Sequence, residues 1–337
     1  MTVLVTGAAG FLGSHVTDVL LKRGDQPRAL IHPCDDGERL ERAGVDVRRG
    51  DVASTAALRA ALNGVDIVLH CAARTGPWGP EQAYLRTNVQ ALEPLVHAAQ
   101  AAGVERIVHV SSITVHGNDV GGRADEQAPF REERNPYSRS KIAGERLLQH
   151  MVTELGAPVT IVRPGWIYGP RDIASTARIA RMLETKRMVH IGSGDNHLPL
   201  IYVRDVAHGI LLASRASEAI GRAYVLVNDE PVTQREFLGV FAAELDARAP
   251  TRHLPYQLML RAGAVSEHLG RVAHIRRPPP VMCYGLQLLG GENRFTISRA
   301  RQELGFAPQV SLRDGVRRTV EWYRGAVKAD GELEAVR

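Results

Sequence analysis

Short apolar runs alternate with longer amphipathic stretches through the first half of the chain. Val3–Thr6, Arg28–Ile31, Ile67–His70, Ile107–Ser111 and Thr160–Arg163 are short runs rich in aliphatic and β-branched side chains. Such runs mark strands buried on both faces. Helical patterns separate them near His15–Arg23, Ala56–Leu62, Asn88–Ala102 and Tyr137–Leu155. This alternation predicts an α/β fold with a doubly wound parallel sheet. Segments without periodicity, Gly76–Gln82 and Gly117–Pro136, follow Ile67–His70 and Ile107–Ser111. Ligands of open α/β sheets sit beyond the carboxyl ends of the strands, so these are the expected active-site loops.

After Pro170 the alternation loosens, and helical and irregular stretches run to Gly291. Pro278-Pro279-Pro280 reads as a loop or turn. Ser298 can cap a short helix closing at Gly305, and Ser311 a last helix through about Tyr323. The expected division is a nucleotide-binding domain over 1–172 with a return segment near 200–228, a smaller, mostly helical substrate domain over 173–327, and a polar, disordered tail over 328–337.

The first strand runs into Gly7-Ala8-Ala9-Gly10-Phe11-Leu12-Gly13. Gly7 permits a tight turn, Gly10 lets backbone approach a pyrophosphate, and Gly13 allows close helix–strand packing; the helix start then offers free N–H groups to phosphate. Position and spacing (G-x-x-G-x-x-G) together point to a Rossmann dinucleotide site. The acid that usually reads a ribose after the second strand is missing where Ile31 gives way to His32 and Pro33. Nothing there repels a 2′-phosphate, which His32 or Arg28 can help to bind, so the reading favours NADP over NAD. Gly50-Asp51-Val52 ends a further short strand, where Asp51 is either an acceptor for the adenine amino group or a turn residue.

Tyr137 and Lys141 stand one helical turn apart on one face. A phenol with a pKa of about 10 is a poor acid–base group at neutral pH, and a nearby ammonium lowers it. The same lysine can hold a nicotinamide ribose. Ser112, at a strand end, can hold a substrate oxygen near Tyr137, so that hydride and proton are exchanged at one carbonyl. The only lysines are Lys22, Lys141, Lys186 and Lys328, so chance is a poor explanation of this spacing.

These motifs resemble those of the extended short-chain dehydrogenase/reductase superfamily. The resemblance runs along nearly the whole chain, through Val5-Thr6-Gly7 to Gly13, His70-Cys71-Ala72-Ala73, Ser111-Ser112, Tyr137 to Lys141, Arg163 to Pro170 and Tyr202 to Ala207. It implies Ser112, Tyr137 and Lys141 as the catalytic triad, and Gly7, Gly10, Phe11, Leu12 and Gly13 as the phosphate loop. It also implies adenine contacts from Asp51 and Val52, cofactor contacts from Cys71, Ala72, Ala73 and Thr75 with Asn88 behind them, and packing of Pro164 and Ile167 near the nicotinamide. Asn88 reads equally well as a helix N-cap. Many relatives dimerise through helices like Asn88–Ala102 and Tyr137–Leu155, which implies a homodimer.

Within the superfamily, sugar-nucleotide enzymes usually carry Asn where this chain has Trp166, and Arg-Asp-Phe where it has Leu198-Pro199-Leu200. A diphosphate needs cationic or amide donors. The loop Ala73 to Gly79, with Trp78, and Gly192 to Asn196 are instead similar to 3β-hydroxysteroid-dehydrogenase-like reductases. Trp78 and Trp166 suit an apolar or ring-bearing small-molecule substrate, although core packing accounts for either. The leading expectation is a dehydrogenase or ketoreductase of a lipophilic or polyketide-like metabolite; the alternative is a nucleotide-sugar epimerase, dehydratase or ketoreductase. A non-enzymatic cofactor sensor is disfavoured because both Tyr137 and Lys141 are present.

Charge and composition change little. The formal charge of +5 raises nucleic-acid binding as a possibility, but the basic residues are paired and interleaved with acids, so no nucleic-acid partner is expected. Cys34, Cys71 and Cys283 have no metal-ligand spacing; reduced thiols, no metal and a cytoplasmic setting are expected. No apolar stretch reaches the roughly 20 residues of a membrane span, and the opening residues have no basic, apolar leader pattern.

Overall fold

The computed structural model describes residues 1–330. Seven strands form one parallel sheet: β1 (Val3–Thr6), β2 (Arg28–Ile31), β3 (Asp46–Arg49), β4 (Ile67–His70), β5 (Arg106–Val110), β6 (Val159–Pro164) and β7 (Ala223–Leu226). Their spatial order is β7-β6-β5-β4-β1-β2-β3. β1 and β4 are buried throughout, which is why they read as continuous apolar runs. Residue pairing aligns Thr6 with His70 and Leu30, and His70 with His109. The carboxyl ends of β1, β2, β4 and β5 therefore open along one edge. The chain leaves β1 for β2 on one side and later returns to β4 on the other, so the crevice lies beyond β1.

Helices cover both faces, among them α1 (Phe11–Lys22), α2 (Leu92–Ala101) and α3 (Pro136–Leu155). Asn135 caps α3, its side chain accepting from the Ser138 N–H at 2.8 Å, and Pro136 fills the first turn where no N–H is needed. Gly156, at φ +61°, ends it in the left-handed conformation.

The helical run expected to begin near Asn88 starts earlier, with a helical turn over Glu81–Leu85 and then a π turn over Arg86–Gln90 before α2. Asn88 is thus inside the helical run, not its N-cap. The loop expected over Gly117–Pro136 contains a short strand, Gly122–Ala124, paired with Asn293–Phe295. Trp166–Tyr168 pairs with Leu200–Tyr202, and a second apolar core gathers Tyr168, Leu183, Phe237, Phe241 and Val316. The later chain adds α4 (Tyr256–Val272), α5 (Cys283–Gly290) and α6 (Leu312–Asp330). α6 runs past Tyr323, and the rest of the expected tail, 331–337, lies outside the described residues.

Candidate active site

The glycine loop turns directly off β1. Gly7 sits at φ +64°, and a β-carbon there would come within 2.7 Å of the Ala72 backbone. A β-carbon on Gly13 would collide with the Gly7 carbonyl oxygen, and one on Gly10 would stand 3.2 Å from the same atom. Gly10 caps α1 without a side chain, and the first turn of Phe11, Leu12 and Gly13 has no acidic residue. The amino end of α1 is thereby left open to an anion. This cradle fits a dinucleotide pyrophosphate.

Next to it, the Thr6 hydroxyl bonds His70 Nδ1 at 2.8 Å and accepts from the Ala72 N–H at 3.2 Å. That fixes Cys71, Ala72 and Ala73 at the carboxyl end of β4. Burial pushes the Cys71 thiol up to about 12, so it is an inert wall. Thr75 is exposed beyond it. Asn88 is buried; its amide accepts from Arg74 N–H at 2.7 Å and donates to Arg74 O and Ser140 Oγ, each at 2.9 Å. It ties the loop after β4 to α3.

Tyr137 lies in the first turn of α3. Thr114 and Ser138 share a 2.6 Å hydroxyl–hydroxyl bond that joins the turn Ile113–His116 to α3. Ser112, the cap of that turn, accepts from the Thr114 N–H at 3.3 Å and lies on the Tyr137 side of it. Lys141, buried one turn on, donates from Nζ to the Val110 carbonyl at 2.8 Å. Burial lowers the lysine to about 8 against the opposing Glu145 carboxylate. Burial also pushes Tyr137 up to about 12, the reverse of the lowering expected from Lys141: the ammonium is turned to Val110, and desolvation of the phenolate dominates. Tyr137 carries its proton at neutral pH, as a phenol of ordinary pKa also does.

The imidazoles of His70 and His109 stack beneath the sheet edge with ring centroids 5.3 Å apart, within reach of the Lys141 charge. Burial and the lysine charge depress both, His70 to about 3. Behind them Glu145 and Arg163 form a fully buried pair, whose carboxylate also accepts from Ser111 Oγ.

The remaining expected residues divide. His32 is at the carboxyl end of β2, as a phosphate neighbour must be. Its own N–H bonds the Asp35 carboxylate at 3.2 Å, an acid the sequence reading passed over. Arg28 does not face this edge: it begins β2 and bonds Asp46 at 2.7 Å and the Ala61 and Asn63 carbonyls. Asp51 bonds the Ala53 N–H and the Arg86 guanidinium, and Val52 is buried beside it. Pro164 ends β6, and Ile167 lies just beyond it. Trp166 Nε1 donates to Ser175 at 3.2 Å while its ring packs on Phe237. Trp78 Nε1 donates to the Ile275 carbonyl at 3.2 Å, so its indole is anchored on the α4–α5 connection.

Two aromatic residues of the site escaped the sequence reading. Tyr284, on α5, stands edge-on to Tyr137 with ring centroids 6.3 Å apart. Tyr84 holds the Gly76 and Trp78 carbonyls at 2.8 and 2.9 Å, shaping the loop after β4. Neither position carries a motif in the sequence.

A glycine cradle at the carboxyl edge of a parallel sheet, beside a serine, tyrosine and lysine, defines a Rossmann-type nicotinamide oxidoreductase. Residues 3–226 match the NAD dependent epimerase/dehydratase family, and the chain belongs to it as an NAD(P)-dependent enzyme of the extended short-chain dehydrogenase/reductase type. A 2-alkyl-3-oxoalkanoate reductase of Stenotrophomonas maltophilia is 30% identical across 94% of this chain and 98% of its own. The crystal structure of gox2253 is 31% identical, covering 96% of this chain and 98% of the other, with a TM-score of 0.81. The UDP-glucose 4-epimerase of Thermus thermophilus in complex with NAD is 25% identical, with a TM-score of 0.74 over 97% of this chain and 100% of the other.

Proposed function

We propose that the chain reduces the ketone of a small lipophilic metabolite to a secondary alcohol, with Tyr137 as acid. The observation that carries this reading is Tyr137, one turn before the buried Lys141 on α3 and faced by the Tyr284 ring, at the sheet edge that bears the glycine loop. When bound, the nicotinamide supplies the hydride. The glycine loop and the amino end of α1 would hold its pyrophosphate, Asp51 and Val52 its adenine, and Lys141 its ribose, with Cys71, Ala72, Ala73, Thr75, Pro164 and Ile167 lining the remainder. Ser112 donates to the substrate oxygen, and Tyr137 gives that oxygen its proton as the carbon becomes tetrahedral. Alcohol oxidation runs the same transfers backwards.

The substrate class rests on what surrounds the site. Trp166 and the buried Leu198 and Leu200 offer a sugar diphosphate neither cation nor amide. Residues 173–327, apart from the return segment that carries β7 back to the sheet, form the substrate-binding part, with Trp78 shaping its entrance. The similarity to a 2-alkyl-3-oxoalkanoate reductase favours an acyl-chain ketone. The test is stoichiometry: 2-alkyl-3-oxoalkanoates should consume one reduced nicotinamide per alcohol formed. Conversion of UDP-glucose with no net cofactor consumption would establish the epimerase reading instead.

NADP is the proposed cofactor over NAD, because His32 rather than an acid follows β2. A kcat/KM higher with NADH than with NADPH would assign the role of the ribose-reading acid to Asp35. A homodimer through α2 and α3 is the proposed assembly, read by light scattering. The free thiols of Cys34, Cys71 and Cys283 suit a cytoplasmic setting.

A further inference from the structure

The long helix α4 is covered by the protein only along one narrow side. Gly263, Glu267 and Gly270 are its buried residues. On the opposite side Leu258, Val265, Leu269 and Val272 are 59, 58, 61 and 63% exposed, and Ile275 just beyond is 41% exposed. At 100° per residue the four helical positions fall within an arc of about 60°. These five make up more than half of the large exposed hydrophobic residues found among the described residues. Scattered apolar residues on a surface need no explanation, but a single stripe does.

The charge of the chain concentrates in the same segment. Residues 247–291 contain six arginines and one acid, Glu267, a formal +5 that equals the excess of the whole protein. Glu267 is turned inward, where it accepts from the Cys283 N–H at 2.7 Å. Arg261, Arg271, Arg276 and Arg277, with His268 and His274, are exposed along or beyond the apolar stripe. An apolar stripe bordered by arginines, with no outward acid, is the composition of a helix that lies in a bilayer interface. A second copy of the chain would bring the same arginines together, and a neutral apolar partner would leave Arg261, Arg276 and Arg277 unpaired, Arg271 being already paired with Glu267 at 3.2 Å. An anionic lipid surface meets both the stripe and the charge.

We infer that α4 docks the protein on an anionic phospholipid surface with its apolar stripe among the headgroups. No helix among the described residues is long and apolar enough to cross a membrane, so this is contact with a surface and not a span. The docked helix adjoins the site. A β-carbon on Gly270 would stand 3.1 Å from the Trp78 ring, the Arg271 guanidinium lies 5.7 Å from that ring, and α5 carries Tyr284 to Tyr137. The loop Gly76–Gly79 therefore packs under α4 on its protein side, so the docked helix lies directly over this part of the site.

The experiment is co-sedimentation of the full chain, without substrate, with vesicles of phosphatidylcholine alone or with about one-third phosphatidylglycerol. The protein should partition onto the anionic vesicles at low salt and release as salt rises. V265E/L269E should lower partitioning at least about tenfold while keeping the wild-type melting temperature, because both positions are exposed. R276E/R277E should weaken binding and its salt dependence, and I220E, at an exposed site elsewhere, should leave it unchanged. Binding equal on both vesicles, or unchanged in V265E/L269E, would overturn the inference. So would absence of vesicle binding with a dimer that V265E/L269E dissociates, which would assign the stripe to a second copy. Because no substrate is present, these outcomes are independent of the reaction proposed above.

Discussion

Replacing Glu145 by alanine should cost more stability than any surface change, and the structure sets the scale. Glu145 and Arg163 are almost wholly shielded from solvent. Arg163 Nε lies 3.0 and 3.1 Å from the two carboxylate oxygens, and Nη2 lies 2.6 Å from one of them. Neither nitrogen has another acceptor among the described residues. The third, Nη1, would keep the Glu126 carbonyl at 3.0 Å and His116 at 3.1 Å. E145A therefore leaves a guanidinium that cannot deprotonate with two of its three nitrogens bare, and Ser111 without its acceptor. Stranding one member of a buried pair costs about 3–5 kcal/mol. The Phe130 ring, 5.4 Å from the guanidinium, offsets a fraction of this. At roughly 2 °C per kcal/mol for a chain of this size, the melting temperature should fall by about 6–10 °C. Differential scanning fluorimetry and urea unfolding measure it, and E145Q, which keeps one acceptor, should fall between. A shift below about 2 °C for E145A would refute the reasoning, since a buried unpaired guanidinium cannot be that cheap.

Gly13→Ala should abolish dinucleotide binding and lower the melting temperature, because its β-carbon would collide with the Gly7 carbonyl; calorimetric titration with NADP and NAD reads the first effect. His70 and His109 should make the fold acid-labile. Their folded pKa values lie below the usual 6.5, so the unfolded state binds more protons, and stability falls as pH drops from about 6.5 towards 3. H109F should flatten that decline at little cost near pH 7, since neither His109 ring nitrogen has a partner. Urea midpoints across that pH range check both statements.

The sheet was legible because its central strands are buried on both faces and so appear as unbroken apolar runs. β7 was read only as part of a return segment near 200–228 and not as a strand: Ala223–Leu226 is four residues long and follows a stretch where alternation has lapsed. The π turn at Arg86–Gln90 was invisible because its cause is tertiary, the Asn88 amide reaching the Arg74 backbone. Arg28 was misread by position: with about 3.3 Å per strand residue, the start of β2 lies about 10 Å from the edge where phosphate would sit. Glycine loop, Ser112, Tyr137 and Lys141 stood out because their spacing is local. Tyr284 comes from far along the chain with no pattern of its own, and the direction of Tyr137's pKa shift depends on burial that only the fold supplies.

Tyr137→Phe tests the central claim most directly, because it removes one hydroxyl and leaves the ring against Tyr284. With NADPH and a 2-alkyl-3-oxoalkanoate, kcat should fall by about 10²–10⁴-fold, while cofactor affinity measured by titration stays within about twofold of wild type. Turnover unchanged in Tyr137→Phe would contradict the assignment of Tyr137 as the acid.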